Sequence, residues 1–160
     1  MKNLSIFDFD NTLCFTPESK EGMEIYKNKT GQEWPYPGWW GRKESLDTDI
    51  FDIPLNKVVY DKYLSSKGDY LVLATGRLSK LTSEVSSILE KYELKFDEVH
   101  LNPGMDTYKF KTDLFEKVIY KIRPDKVVIY DDRDTHLIRF KDWSEKQPCS
   151  IEIIDVKKLK

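Results

Sequence analysis

The first apolar run of the chain stops at a pair of aspartates, in Ile6-Phe7-Asp8-Phe9-Asp10-Asn11-Thr12-Leu13. Side chains two residues apart leave the same side of a strand, so Asp8 and Asp10 would emerge together where that strand ends. Two carboxylates crowded at the edge of an apolar sheet repel one another, and keeping both ionised there calls for a cation. A hard divalent ion with oxygen ligands, Mg²⁺ above all, meets that need. The same spacing recurs at Asp47/Asp49 and Asp132/Asp134. Only the first copy closes an apolar run and continues into Asn-Thr-Leu.

Three further groups could join this pair. Val127-Val128-Ile129-Tyr130 also stops at carboxylates, Asp131-Asp132, followed by Arg133. If that strand neighbours the first, four acidic side chains meet beyond the carboxyl ends of the sheet, where open α/β folds bind their ligands. Adjacent strand residues face opposite ways, so Asp131 and Asp132 must differ in role. One touches the metal while the other orients a water or a lysine, with Asp132 favoured as the direct ligand. In Leu71-Val72-Leu73-Ala74-Thr75-Gly76-Arg77 a hydroxyl at a strand end precedes a glycine. The hydroxyl and an exposed backbone N–H make a cradle for a phosphoryl group, unless the segment is an ordinary turn. This much negative charge needs an ammonium nearby. Lys109 or Lys111 could supply it, if they are not simply on a solvated helix face.

Bringing these residues together requires strands that end side by side. Apolar runs of strand length occur at 4–9, 70–74, 99–101, 127–130 and 151–154. They are nearly continuous, as in strands covered on both faces of a parallel sheet. Between them lie stripes of helical period. Val58, Val59, Tyr63 and Leu64 form one, and Leu78, Leu81, Val85, Ile88 and Leu89 another. Leu114, Val118, Ile119 and Ile122 form a third. The alternation from residue 57 onward predicts a doubly wound α/β sandwich with right-handed crossovers.

Residues 15–56 break the pattern. They lack a clean period and hold four of the seven Pro and all but one of the Trp. They read as an irregular cap-like insertion at about 16–55, between the first strand and its crossover helix, in a single domain spanning 1–160. The closing Lys157-Lys158-Leu159-Lys160 reads as a solvated tail.

Composition bounds the rest. At 160 residues, 39% hydrophobic and 34% charged, the chain suits one globular domain. A net charge of −2 supplies no global positive field for nucleic acid or anionic membrane, so a polyanionic substrate would need a local basic patch. Cys14 and Cys149 match no metal-ligand spacing and read as free thiols of a reducing compartment. No apolar stretch is long enough to span a bilayer, and Asp8 and Asp10 interrupt the N-terminal run too early for a signal peptide. The expectation is a cytoplasmic protein without a membrane partner; the sequence sets no oligomeric state.

Taken in order, the four groups resemble the four motifs of the haloacid dehalogenase (HAD) superfamily. Asp8, Asp10 and Thr12 match its Asp-x-Asp-x-Thr motif, Thr75 its second-motif hydroxyl, Lys111 its lysine, and Asp131-Asp132 its terminal acidic pair. The resemblance implies a Rossmann-like α/β/α fold, with the Asp8 strand central in a five-stranded parallel sheet. A closer likeness is to the HAD domain of Swiss-army-knife RNA-repair proteins. It rests on Asp10-Asn11-Thr12-Leu13 with Thr16-Pro17, on Gly38-Trp39-Trp40, on Thr107-x-x-Phe110-Lys111, and on Tyr130-Asp131-Asp132-Arg133-x-x-His136-x-x-x-Phe140. The Asp-Asp-Arg ending is also similar to that of phage polynucleotide 3′-phosphatase domains. The chain is read as that domain without the accompanying repair modules.

The implied chemistry is Mg²⁺-dependent phosphate-ester hydrolysis through an aspartyl-phosphate on Asp8. Asp10 would act as general acid then base, Thr75 and Lys111 would hold the phosphoryl group, and Asp8, Asp10, Asp131 and Asp132 would hold the metal. Arg77, Arg133 and His136 are candidates for a substrate phosphate. Arg133 and His136 share a helix face if Arg133 lies in the first helical turn, where the macrodipole disfavours it. Trp39 and Trp40 either stack on bases or pack the insertion onto the sheet. The expected substrate is a nucleotide or an RNA or DNA end, consistent with nucleic acid repair. A small-metabolite phosphomonoesterase and a non-catalytic module keeping the fold are the competing readings.

Overall fold

Each of the five apolar runs becomes a strand of one sheet. The computed structural model describes residues 2–160. Strands β1 (Asn3–Phe7), β2 (Tyr70–Leu78), β3 (Glu98–Asn102), β4 (Lys126–Asp131) and β5 (Ser150–Asp155) pair in parallel in the order β3-β2-β1-β4-β5. Helices α1 (Ser19–Thr30) and α2 (Lys57–Ser65) separate β1 from β2. Helices α3 (Thr82–Lys91), α4 (Thr107–Ile122) and α5 (Asp134–Ser144) follow β2, β3 and β4. This is the α/β sandwich with a central Asp8 strand that the sequence implies.

The unbroken apolar runs follow from burial on both faces. Leu4, Ile6, Val72, Ala74, Val127 and Ile129 pack beneath α4 and α5, with Phe115, Val118 and Phe140. The alternate residues Phe7, Leu71, Leu73 and Tyr130 face the other way, against Val59 and Tyr63 of α2 and Val85 and Ile88 of α3. Phe7 stacks on Tyr130 with ring centroids 4.4 Å apart, which ties the two strands that carry the acidic pairs. Among the described residues no helix is long and apolar enough to cross a membrane. Both cysteines are free.

Three expectations are corrected. Leu78 closes β2 rather than opening a helix, because β2 runs on through Thr75-Gly76-Arg77 with a register shift between Thr75 and Leu78. The insertion is not wholly irregular: α1 occupies twelve of its residues, ended by Gly31 in the left-handed region at φ 76°. Only Gly22 of α1 is fully buried, so the helix carries no apolar stripe wide enough to read as a period. The tail is anchored, since the Lys157 ammonium reaches the Asp132 carbonyl and pairs with Asp134 at 3.0 Å and Asp155 at 2.9 Å.

Both feet of the insertion are pinned where the chain leaves and rejoins the sheet. Phe15 N–H donates to the Pro54 carbonyl at 2.9 Å, and Asn56 N–H to that of Leu13 at 2.8 Å. Inside it, Trp39 lies buried among Trp34 and Phe51 and donates from its indole to the Pro17 carbonyl at 3.1 Å. Trp39 also covers Gly22, where an added Cβ would sit 2.1 Å from the indole ring. Gly22→Ala is therefore expected to destabilise the protein by about 1–3 kcal/mol, although Ala is the better helix former. Chemical denaturation measures it; a variant more stable than the parent would show that Trp39 moves aside freely.

Candidate active site

The two acidic pairs converge because β1 and β4 are hydrogen-bonded neighbours in register. Phe7 is level with Tyr130, and the Asp8 N–H donates to the Tyr130 carbonyl at 3.0 Å. That bond continues the ladder one residue past β1 and sets Asp8 beside Asp131. Ligand oxygens of Asp8, Asp131 and Asp132 all lie within 4.8 Å of one another. The convergence on which the sequence argument depends is present.

Lys111, 3% exposed on the first turns of α4, reaches into this group. Its ammonium donates to Asp8 Oδ1 at 2.9 Å and Asp131 Oδ2 at 2.8 Å. Asp106 caps the helix by accepting the Lys109 N–H at 3.0 Å. Lys109 itself turns outward to pair with Asp113, so of the two lysines it is Lys111 that enters the acidic group. Asp131 and Asp132 divide their work as strand geometry demands. Asp131 Oδ1 accepts the N–H groups of Asp132 and Arg133 at 2.8 and 3.1 Å, so both its oxygens are engaged within the protein. Asp132 is half-buried, and its carboxylate has only a 3.5 Å contact with Thr12, at the limit of a hydrogen bond. Thr12 is better placed toward Asp8 Oδ2, at 3.2 Å.

The electrostatics are unbalanced. When all three are ionised, Asp8, Asp131 and Asp132 set three negative charges against the single ammonium of Lys111, an excess of two. Burial, then the neighbouring Asp131, push the Asp8 carboxyl well above its ordinary range despite Lys111. Asp132 is raised as well, by partial burial and by Asp131. Burial opposes the Lys111 charge, yet Asp8 and Asp131 outweigh it and raise its pKa. The donor set is all oxygen, and the deficit equals the charge of one divalent ion. These residues fit the cation expected from sequence.

Asp10 lies apart from that cluster. Its Oδ1 accepts from Thr16 at 2.7 Å and from Arg77 Nη2 at 2.7 Å, and Arg77 Nε approaches its Oδ2 at 3.0 Å. Arg77 Nη1 donates to the Trp40 carbonyl at 2.9 Å and to Ser45 Oγ at 2.8 Å, while the guanidinium lies 4.8 Å from the Trp40 ring centroid. Arg77 is thus not free for a substrate phosphate, as the sequence reading had it. It is buried and spent on fastening the insertion to Asp10. Thr75 is fully buried outside the cleft lining, its hydroxyl accepting the Arg77 N–H at 3.1 Å, so the expectation that this hydroxyl holds a phosphoryl group is corrected. The neighbouring Gly76 lines the cleft instead, against Thr107, where an added Cβ would sit 2.8 Å from the Thr107 methyl.

The resulting cleft, about 460 Å³, is lined by Asp8, Asp10, Lys111, Asp131 and Asp132, with Arg133 and His136 on one side. Arg133 precedes α5 as its N-cap in extended conformation, so the expectation of a first-turn arginine is corrected. Standing before the first turn, it does not incur the penalty of a cation inside it. His136 is buried; its burial, with Arg133 and Lys111 nearby, holds its pKa down at about 4, so the ring is neutral near pH 7. Trp40 also lines the cleft and is 40% exposed, whereas Trp39 is packing. Asn11, part of the first motif but given no role there, also lines the cleft, as does Glu18, which the sequence does not single out. Asn11 carried a signal, since it holds a left-handed φ of 57° that Asn tolerates. Glu18 carried none.

Among curated proteins, no sequence matches the chain. A structure search finds a haloacid dehalogenase-like family hydrolase from Streptococcus pneumoniae at 14% identity and a TM-score of 0.51. The match covers 89% of this chain and 80% of that one. At that identity the likeness concerns the fold. Residues 24–160 match the family described as HAD domain family 1 in Swiss Army Knife RNA repair proteins. The matched span includes Thr75, Lys111, Asp131 and Asp132 and begins after Asp8 and Asp10; of these two, geometry places Asp8 beside Lys111, Asp131 and Asp132. With most of its length matched, this chain belongs to that HAD domain family, and so to the HAD superfamily.

Proposed function

We propose that the chain is a Mg²⁺-dependent phosphohydrolase acting on a nucleotide or a polynucleotide end. The observation that carries the reading is the charge deficit of two around Asp8, on a carboxylate facing an open cleft. Asp8, Asp132 and the Asp10 carbonyl would hold Mg²⁺, directly or through water, with Asp131 behind them. When bound, the ion neutralises phosphoryl oxygens and orients the group for in-line attack.

The remaining chemistry belongs to the chain. Asp8 attacks phosphorus, the bond to the leaving oxygen breaks, and an aspartyl-phosphate forms that water then hydrolyses. Lys111 favours the ionised form of Asp8, against burial and Asp131, and offsets charge on the phosphoryl oxygens. Asp10 gives a proton to the leaving oxygen and later takes one from water. Its Oδ2, with fewer bonds than Oδ1, is the oxygen with capacity for that exchange. The Gly76 backbone supplies the phosphoryl cradle, held open by the absence of a side chain.

The test is turnover of phosphomonoesters with added Mg²⁺, abolished by a chelator. Absence of hydrolysis with every divalent metal would leave a non-catalytic module. Metal binding should also depend on pH. Asp8 and Asp132 have raised pKa values, so in the metal-free fold their protonated forms favour the native state. That stability is fully present below their unfolded pKa and is lost as pH rises through the folded one. Mg²⁺ replaces the protons. The rise in Tm caused by Mg²⁺ should therefore grow as pH rises through the folded pKa values and shrink in acid. A Mg²⁺ effect that does not vary with pH would place the ion elsewhere.

A further inference from the structure

Resting on the phosphohydrolase reading, we propose that the cleft binds a second phosphoryl group of the substrate, on Arg133, His136 and Thr107. Of the basic side chains lining it, Lys111 is engaged by two carboxylates and Arg77 by Asp10 and the insertion. Arg133 alone has no carboxylate partner for its side chain among the described residues; its backbone is fixed at the cleft by its N–H to Asp131 and by its carbonyl at the start of α5, and its exposed guanidinium is left free. One ammonium and one divalent ion serve the reacting group. A further unpaired guanidinium in the same cleft has nothing to do for a simple monophosphate.

His136 supplies the independent observation. It is 6% exposed and lines the cleft, and its Nδ1 is buried without a partner. Burial and its cationic neighbours keep the ring neutral, so it carries one proton. A proton on Nδ1 would strand a donor in a dry site, which proteins rarely tolerate. The proton therefore sits on Nε2, which bonds no described residue either and is the ring nitrogen left to donate into the cleft. The His136 N–H donates to the Arg133 carbonyl at 3.0 Å, so both side chains rise from one turn. Thr107, the first residue of α4, lines the same cleft with a hydroxyl that bonds no described residue.

A guanidinium fork, an imidazole N–H and a hydroxyl beside two helix N-termini suit an anion with several acceptor oxygens. Glu18 and Asn11, across the cleft, would accept from or donate to the uncharged part of such a ligand. The second group is either a free phosphate or the phosphodiester of a chain; the chemistry recognised is the same.

Calorimetric titration of the Asp8→Asn variant reads this without turnover. The probes are adenosine 3′- and 5′-monophosphate, adenosine 3′,5′-bisphosphate, and a dinucleotide ending in a 3′-phosphate. The bisphosphate, the dinucleotide or both should bind about 10-fold tighter than the monophosphates, or roughly 1.4 kcal/mol. A gain for the dinucleotide identifies a diester source, and a gain for the bisphosphate alone identifies a small molecule. Adding Arg133→Gln should bring that ratio close to unity, and His136→Ala should lower it several-fold. Equal binding of all four probes, or a ratio unchanged by Arg133→Gln, overturns the proposal. Failure of the phosphohydrolase reading shows separately, as absence of turnover in the parent.

Discussion

Asp8→Asn is expected to lower kcat by about 10³-fold or more while leaving the metal-free fold at least as stable as the parent. The two effects have one cause. Asp8 is almost wholly buried, and burial followed by Asp131 makes its ionised form costly, which is why its pKa is raised. An amide has nearly the same shape. Its oxygen can still accept from Lys111, now 2.9 Å from Asp8 Oδ1, and Thr12 can turn its hydroxyl to accept from the new amide NH₂. What the amide lacks is a carboxylate able to bond to phosphorus. The stability gain should be present at neutral pH and disappear in acid, because the parent carboxyl is protonated there and no longer penalised. Kinetics, with Tm followed against pH, measure both. Hydrolysis close to the parent rate would remove Asp8 as nucleophile, and a Tm well below the parent at neutral pH would make it a structural acid.

Much of this was legible because parallel strands buried on both faces write themselves as unbroken apolar runs. The end of each run marks where a side chain can leave the sheet. Asp8, Asp131 and Asp132 were readable for that reason, and strand alternation foretold that the last two would differ. The rest was hidden by its physics. Helix α1 buries a glycine beneath Trp39 rather than an apolar stripe, so periodicity misses it. Arg77 follows a phosphate-cradle glycine and invites a phosphate-binding role. Its partners Trp40 and Ser45 lie over thirty residues away in sequence, so only folding reveals that it is occupied. Lys157 looked like a tail charge, yet its partners Asp134 and Asp155 come together only when β5 docks against β4.

Replacing Lys111 by Met should cost the metal-free protein about 3–5 kcal/mol at neutral pH, the usual penalty for removing one member of a buried ion cluster. Burying an ammonium is itself expensive, and a methionine fills similar volume without that cost, so two opposing effects set the sign. Two observations decide it. Lys111 bonds two buried carboxylates at 2.9 and 2.8 Å, and its pKa is raised in spite of burial, so its charge is held more firmly in the fold than in the unfolded chain. A raised lysine pKa contributes stability that is fully present below its unfolded value, and so throughout the neutral range. Without it three carboxylates are left facing one another. Acid should relieve the variant, because Asp8 and Asp132 already take up protons readily and would do so more readily still. Mg²⁺ should relieve it in part, by supplying charge to the same oxygens, yet kcat should remain depressed by about 10²–10³-fold for want of a fixed cation beside the phosphoryl group. Denaturation with and without Mg²⁺, at neutral and acid pH, separates these effects. A Lys111→Met protein as stable as the parent at neutral pH would mean that the carboxylates are already protonated there, and the charge deficit that calls for a divalent ion would not exist.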